Sequence, residues 1–313
     1  VELKSRALGS LTERPELAAA AGAACIASSA TLVRLADASP ATVAAFRCLY
    51  ALPFLYLLMA REDRRYGRRP ARARWAAAGA GAFFAVDLLL WHNSIEAVGA
   101  GIATVLGNLQ VVFVGLIAWW LLAERPSARL LAALPVVLLG VVLISGVVGS
   151  GAYGSDPLLG SVYGVGTSIA YAGFLLLLRQ GSRDLRRVAG PLFDATAVSA
   201  VICIAAGPFV GGVDLVPSWP SHGWLAVLAL TSQVIGWLLI AVSLPRVPAA
   251  VTSVILLLQP VASVLLAAAV LDERPSPLQL LGCGIVLAGV VAATTGRRRQ
   301  WASKASMAPS TSR

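Results

Sequence analysis

The chain has 313 residues, 58% hydrophobic and 13% charged, with a formal net charge of +10. A typical globular chain is roughly 45–50% apolar and about 25% charged, so this composition excludes an ordinary soluble domain. The positive balance does not mark a nucleic-acid binder, because the arginines form short clusters between long uncharged runs, as loops beside a membrane do.

An apolar run of about 20 residues crosses the hydrocarbon core as a helix. Ten can be read, over 17–36, 41–60, 75–94, 99–121, 129–148, 157–178, 191–211, 223–244, 249–271 and 277–296. Lipid offers no partner to a free backbone amide, and the alternation of a membrane barrel is absent, so the expected fold is an all-α polytopic membrane protein. Lys4 and Arg6 precede the first run as in a secretory leader, but the run continues through Thr31, Leu32 and Val33 and reads as the first membrane helix.

The second run opens after Ser39-Pro40 and carries Arg47; the third carries Asp87. Gly101, Thr104 and Asn108 share one face of the fourth, with Gln110 beside them and no proline, so this helix is expected to be straighter than the proline-bearing ninth. The sixth has Gly160 and Gly164 at GxxxG spacing, then Thr167, Ser168 and Tyr171; Asp194 lies at the start of the seventh. The eighth carries Gln233, Gly236 and Trp237, and the ninth carries Thr252, Gln259 and Ser263, with Pro260 inside it. Cys25, Cys48, Cys203 and Cys283 are scattered singly, without metal-ligand spacing, and buried thiols of that kind act as small hydrophobes.

Loop charge orients the chain. With the N-terminus inside, 22 of the 25 Lys and Arg residues lie on the cytoplasmic side, seven of them in residues 61–74, whereas the outer loops hold only Arg34 and Arg274. Both termini are therefore expected in the cytoplasm. The chain also repeats itself: Glu124-Arg125-Pro126-Ser127 recurs 149 positions later as Glu273-Arg274-Pro275-Ser276. The same offset pairs Trp75 with Trp224, Gln110 with Gln259 and Gly140 with Gly289, and 18 positions of 100–146 are identical in 249–295. Five spans per copy is an odd number, so the second copy enters the membrane from the opposite side, an arrangement common in secondary transporters.

Three features carry a resemblance to a known family: Ser39-Pro40 followed by Arg47, polar-small spans ending in Glu-Arg-Pro, and closing helices with central glycines at Gly140 and from Gly282 to Gly289. In these the chain resembles the EamA-type branch of the drug/metabolite transporter superfamily, over about residues 17–296. The resemblance implies ten transmembrane helices as two inverted five-helix repeats, 17–148 and 157–296, between cytoplasmic segments 1–16 and 297–313. It further implies a secondary transporter in the cytoplasmic membrane, moving a small polar metabolite by alternating access. Amino-acid or related metabolite export leads, and a coupling ion such as the proton is a candidate partner beside the substrate and the bilayer. No cofactor or metal is expected.

Candidate site residues follow from the cost of polarity in lipid. An ionisable side chain inside a span costs roughly 2.5–3.5 kcal/mol on insertion scales. By helical rise, Asp87 lies about 12 Å and Arg47 about 8 Å below the outer edge of a core ~30 Å thick. They are expected to meet, as a gate or proton-sensitive pair or as a neutral packing pair. Gln110 and Gln259, about 15 Å deep by the same rise, are candidate cavity contacts with Thr104, Asn108, Tyr171, Gln233, Trp237 and Ser263; small polar stripes also serve simply as packing faces. Glu124 and Glu273 read as interfacial turn residues, and His92, His222, Trp119 and Trp120 as interfacial anchors. The rival functions are an intramembrane enzyme, which would need a nucleophile and base or metal ligands at one depth, and a scaffold, which would not call for mid-membrane Gln.

Overall fold

A computed structural model of the chain describes residues 15–122, 128–182, 184, 186–243 and 258–294, and no strand occurs among them. Seven helical stretches are long and apolar enough to cross a membrane: Glu16–Ala36, Pro40–Tyr66, Ala71–Val98, Ala100–Ile117, Pro157–Gly181, Ala189–Phe209 and Ser221–Ser243. Leu131–Ile144, Leu258–Leu271 and Pro277–Ala292 are shorter apolar helices. The chain is a multi-pass helical membrane protein. Large apolar side chains such as Leu138, Val201 and Leu265 face outward, whereas Ser168, Thr196, Gln233 and Ser263 are fully buried. Segment 297–313, all of 1–16 except Pro15 and Glu16, the block Glu124 to Ser127, and Arg246 and Thr252 lie outside the described residues.

In chain order the helices are α1 (Pro15–Ala27), α2 (Ser29–Ala36), α3 (Pro40–Tyr66), α4 (Ala71–Val98), α5 (Ala100–Gly107), α6 (Gln110–Leu122) and α7 (Ala128–Ile144). Then come α8 (Pro157–Gly181), α9 (Ala189–Ala206), α10 (Ser221–Leu228), a π-helical segment at Ala229–Gly236, α11 (Trp237–Ser243), α12 (Leu258–Leu271) and α13 (Pro277–Thr294). Ser39 caps α3 by accepting from Thr42 N at 3.2 Å, with Pro40 in the first turn, and Asp156 caps α8 through Leu159 N at 3.0 Å; both are standard ways to satisfy amides that have no partner in a first turn. Gly99, at φ +92°, turns the chain from α4 directly into α5, a corner that a side chain would strain.

Three stretches are interrupted in mid-course. Ser28 separates α1 from α2, and Asn108 and Leu109 separate α5 from α6. The second interruption arises without a proline. Asn108 Nδ2 donates to Thr104 O at 2.9 Å, while the Asn108 amide turns to Val105 O instead. A side chain has taken the carbonyl that the helical ladder needed, which is how Asn unseats a helix. The third interruption is the wide π turn over Ala229–Gly236, where Thr231 Oγ1 also bonds back to Val227 O at 2.6 Å. Such π turns cluster at functional sites.

Packing is reciprocal about the middle of the sequence. α3 lies on α9, α5 on α12 and α7 on α13, while α4 runs along α8 as α1 runs along the π segment and α11. A side-chain carbon at Gly140 would sit 2.7 Å from Val286 Cγ2, and one at Gly289 would sit 2.6 Å from Val137 Cγ2. Under the 149-residue offset these two contacts are one contact seen from either side. Alternate connections gather at opposite ends of the bundle. At the arginine-poor end Ser39 Oγ donates to Gly212 O at 2.9 Å and the Asp214 amide to Thr42 Oγ1 at 2.9 Å. At the arginine-rich end Arg187 donates to Gly67 O at 2.6 Å and to Tyr66 O.

Candidate functional site

Side chains from both halves of the chain converge in the bundle interior. Arg47 on α3 donates from Nη2 to Gln233 Oε1 at 3.2 Å, and Gln233 Nε2 donates to Thr196 Oγ1 on α9 at 3.1 Å. All three residues are buried, and Arg47 Nε has no hydrogen-bond partner. The guanidinium lies 5.8 Å from the Trp91 ring centroid on α4, a cation–π distance. Gln233, in the π turn, thus bridges α3 and α9.

Asp87, also buried on α4, is within electrostatic reach of Arg47. The expected pairing takes a different form: among the described residues the two make no ion pair. Gln233 and Trp91 occupy the guanidinium, and α4 is tied to α8 through its backbone, with Thr167 Oγ1 donating to Asp87 O at 3.0 Å. The interior therefore holds a guanidinium and a carboxyl within electrostatic reach of each other but not joined by contact. Below them stands an aromatic wall. Phe84 stacks on Phe174 with centroids 4.6 Å apart, Tyr171 stacks on Phe174 at 5.8 Å, and Trp237 meets Phe174 edge-on at 5.4 Å. The Tyr171 hydroxyl faces the Gln110 side chain, whose Oε1 is buried without a hydrogen-bond partner. A cavity of about 60 Å³ enters from the arginine-rich end between Leu178, Leu192 and Ala241 and reaches Trp237.

Among the described residues no group of His, Cys, Asp or Glu could hold a metal ion. The arrangement offers hydrogen bonds, a guanidinium, a carboxyl and flat apolar walls, which can bind and orient a solute. Residues 14–146 match the EamA-like transporter family, and residues 158–295 match it again. The chain belongs to that family. It is similar to the uncharacterized transporter YcbK of Bacillus subtilis (strain 168), at 26% identity over 273 residues that cover 84% of this chain and 87% of the relative. It is also similar to the uncharacterized transporter sll1319 of Synechocystis sp., at 24% identity over 265 residues, 77% of this chain and 75% of the relative. A solved crystal structure shares the fold with TM-score 0.59 at 18% identity, covering 92% of this chain and 99% of that one.

Within this EamA-family transporter the sequence candidates divide. Arg47, Asp87, Gln110, Tyr171, Gln233 and Trp237 lie in or against the central constellation. Thr104 and Ser263 face each other instead, with Ser263 Oγ 3.0 Å from Thr104 Oγ1, and fasten α12 to α5; Asn108 is spent on the break in its own helix. Gln259 is half-buried in the first turn of α12. Gly160 and Gly164 are packing positions, where a side-chain carbon would meet Val98 Cβ and Leu106 Cβ at 2.7 Å each. Thr196, Trp91, Phe84 and Phe174 were not singled out by sequence; the partners that give them meaning lie on other helices, distant in the chain.

Two interfacial assignments are corrected. His92 is buried, its Nδ1 3.2 Å from Pro40 O, because α3 begins directly over it; His222, by contrast, meets the Tyr50 hydroxyl. Glu273 is buried rather than a surface turn residue, and its carboxylate accepts from Ala100 N at 2.7 Å and Gly101 N at 3.2 Å. Beside it, burial first and the Glu273 carboxylate second raise the Tyr153 phenol above its ordinary value, with Arg34 opposing. Asp194, read as a first-turn residue, instead binds Arg69 at 2.8 Å and ties α9 to the arginine-rich end.

Proposed function

We propose that this transporter moves a small polar metabolite across the cytoplasmic membrane by alternating access, as a secondary carrier of two inverted five-helix repeats. The observation that carries this reading is the buried Arg47–Gln233–Thr196 chain beside Asp87, drawn from both halves of the sequence and roofed over an aromatic wall. Secondary-carrier sites lie where repeats meet, near broken helices; here the π turn supplies Gln233 and the Asn108 break precedes Gln110. The reciprocal Gly140–Val286 and Gly289–Val137 contacts support the two-fold relation. Arg47 and Asp87 offer one cation and one anion that do not neutralise each other by contact, which complements a zwitterion, so an amino acid or related metabolite is the leading substrate class, moved outward. Asp87 is the candidate for proton coupling.

In the same reading the arginine-poor end is outside and both termini are cytoplasmic, because 22 Lys and Arg residues lie on the other side. Cysteine at Gly151 or Val216, both exposed at the arginine-poor end, should react with an impermeant maleimide added to intact cells. Cysteine at Arg72, exposed at the other end, should react only after permeabilisation. Labelling of the Arg72 position in intact cells would overturn the orientation. Metabolite profiling of cells with and without the protein identifies the solute, and unchanged pools under every condition would count against export.

A further inference from the structure

We propose that Glu273 is a latch: its carboxylate holds the outer end of the transporter shut by bridging from the second half of the chain to the first turn of α5, and the outer end opens when it lets go. The proposal rests on the alternating-access reading and adds to it the side chain that sets which end is closed.

Glu273 lies in the turn between α12 and α13, where a charged side chain would ordinarily sit in water, yet it is only 3% exposed. It reaches 173 positions back in sequence to accept from Ala100 N and 172 back to accept from Gly101 N. Those amides open α5, have no partner within their own helix, and present the positive end of its dipole to the carboxylate. The approach depends on Gly99, since a side-chain carbon there would lie 2.8 Å from Glu273 Oε2. Gln279, fully buried, braces the neighbouring connection by accepting from Tyr153 N at 2.7 Å and donating to Tyr153 O at 3.0 Å.

The bridge spans the seam that has to part. Directly below it α5 and α12 touch so closely that a side-chain carbon at Gly101 would lie 2.9 Å from Val264 Cα, and Ser263 bonds Thr104 across the same seam. At the arginine-rich end a small cavity reaches Trp237. A substrate leaving to the outside would need α5 and α12 to separate, and the two bonds to Glu273 must break for that to happen.

The test is thiol accessibility in a full-length chain whose four native cysteines are replaced. One reporter is Ala267→Cys on α12, buried in the closed seam; the other is Ala241→Cys, which lines the inner cavity. Impermeant maleimide is applied to right-side-out vesicles for the first and to inside-out vesicles for the second. With Glu273 intact, Ala267→Cys should be protected and Ala241→Cys reactive. Glu273→Ala should raise the labelling rate of Ala267→Cys by about tenfold or more, the factor for losing a hydrogen bond to a charged group, and lower that of Ala241→Cys. Glu273→Gln, which keeps one acceptor, should fall between and serves where the alanine variant does not fold. An unchanged rate at Ala267→Cys, or a rise there without a fall at Ala241→Cys, overturns the latch; the latter would make Glu273 a part of fold stability alone. Neither rate requires a known solute, so a chain that moves nothing leaves the latch result readable.

Discussion

Arg47→Gln is expected to abolish transport, and together with Asp87→Asn it separates catalysis of transport from support of the fold. The buried guanidinium is held by Gln233 and Trp91 and faces Asp87 without touching it. Either single change strands the other charge in the bundle interior, which is the costly outcome for a buried pair. Arg47→Gln and Asp87→Asn should therefore each lower the folded yield and melting temperature in detergent. The double variant should recover most of the loss, because no charge is stranded. Its transport should stay near background, since the cation that would hold an anionic group of the solute is gone. Recovered folding with recovered transport would reduce the pair to a packing device. A double variant as unstable as the two singles combined would show that the charges do not feel each other.

The second large effect is expected where α7 crosses α13. A side-chain carbon at Gly282 would lie 2.7 Å from Gly140 O, and backbone there cannot yield. Gly282→Leu should cost more than the ~1–3 kcal/mol of ordinary overpacking and should cut the folded yield severely. Gly284 provides the control two residues away. Nothing lies within 4 Å of a side-chain carbon built there, and the position is exposed. Gly284→Leu should fold and transport as the parent does. Thermal unfolding of the two purified variants reads the difference; equal melting temperatures would mean that the two helices do not cross as described.

Much of this was legible in the residues because lipid simplifies the problem. The apolar runs show where helices lie, and the arginine clusters separate the two ends of the bundle, since the same connections that the charge pattern groups together also meet in space. Arg47, Asp87 and Gln233 stood out because polarity inside a span is costly. What the sequence did not reveal was tertiary or depended on local competition. Asn108 breaks a helix only because its side-chain amide reaches Thr104 O, and the π turn at Ala229–Gly236 has no proline to announce it. Thr104 and Ser263 share the spacing of a cavity stripe, but Ser263 donates to Thr104 and Thr104 donates to Ala100 O. Glu273 looked like a solvent-facing turn until its partners, distant in sequence, were known; the repeated Glu-Arg-Pro-Ser block was the one available hint.

Solute exchange in proteoliposomes tests most directly whether transport runs through the Arg47–Gln233–Thr196 chain. Vesicles carrying the parent protein or Gln233→Leu are loaded with a mixture of zwitterionic amino acids, and uptake of each labelled counterpart is followed. The parent should exchange at least one of them saturably. Gln233→Leu should fold, because Leu fills much of the same volume, yet should lose about tenfold or more in rate once the hydrogen bonds that hold Arg47 and Thr196 are removed. Exchange by Gln233→Leu at the parent's rate would contradict a transport site at this place in the fold.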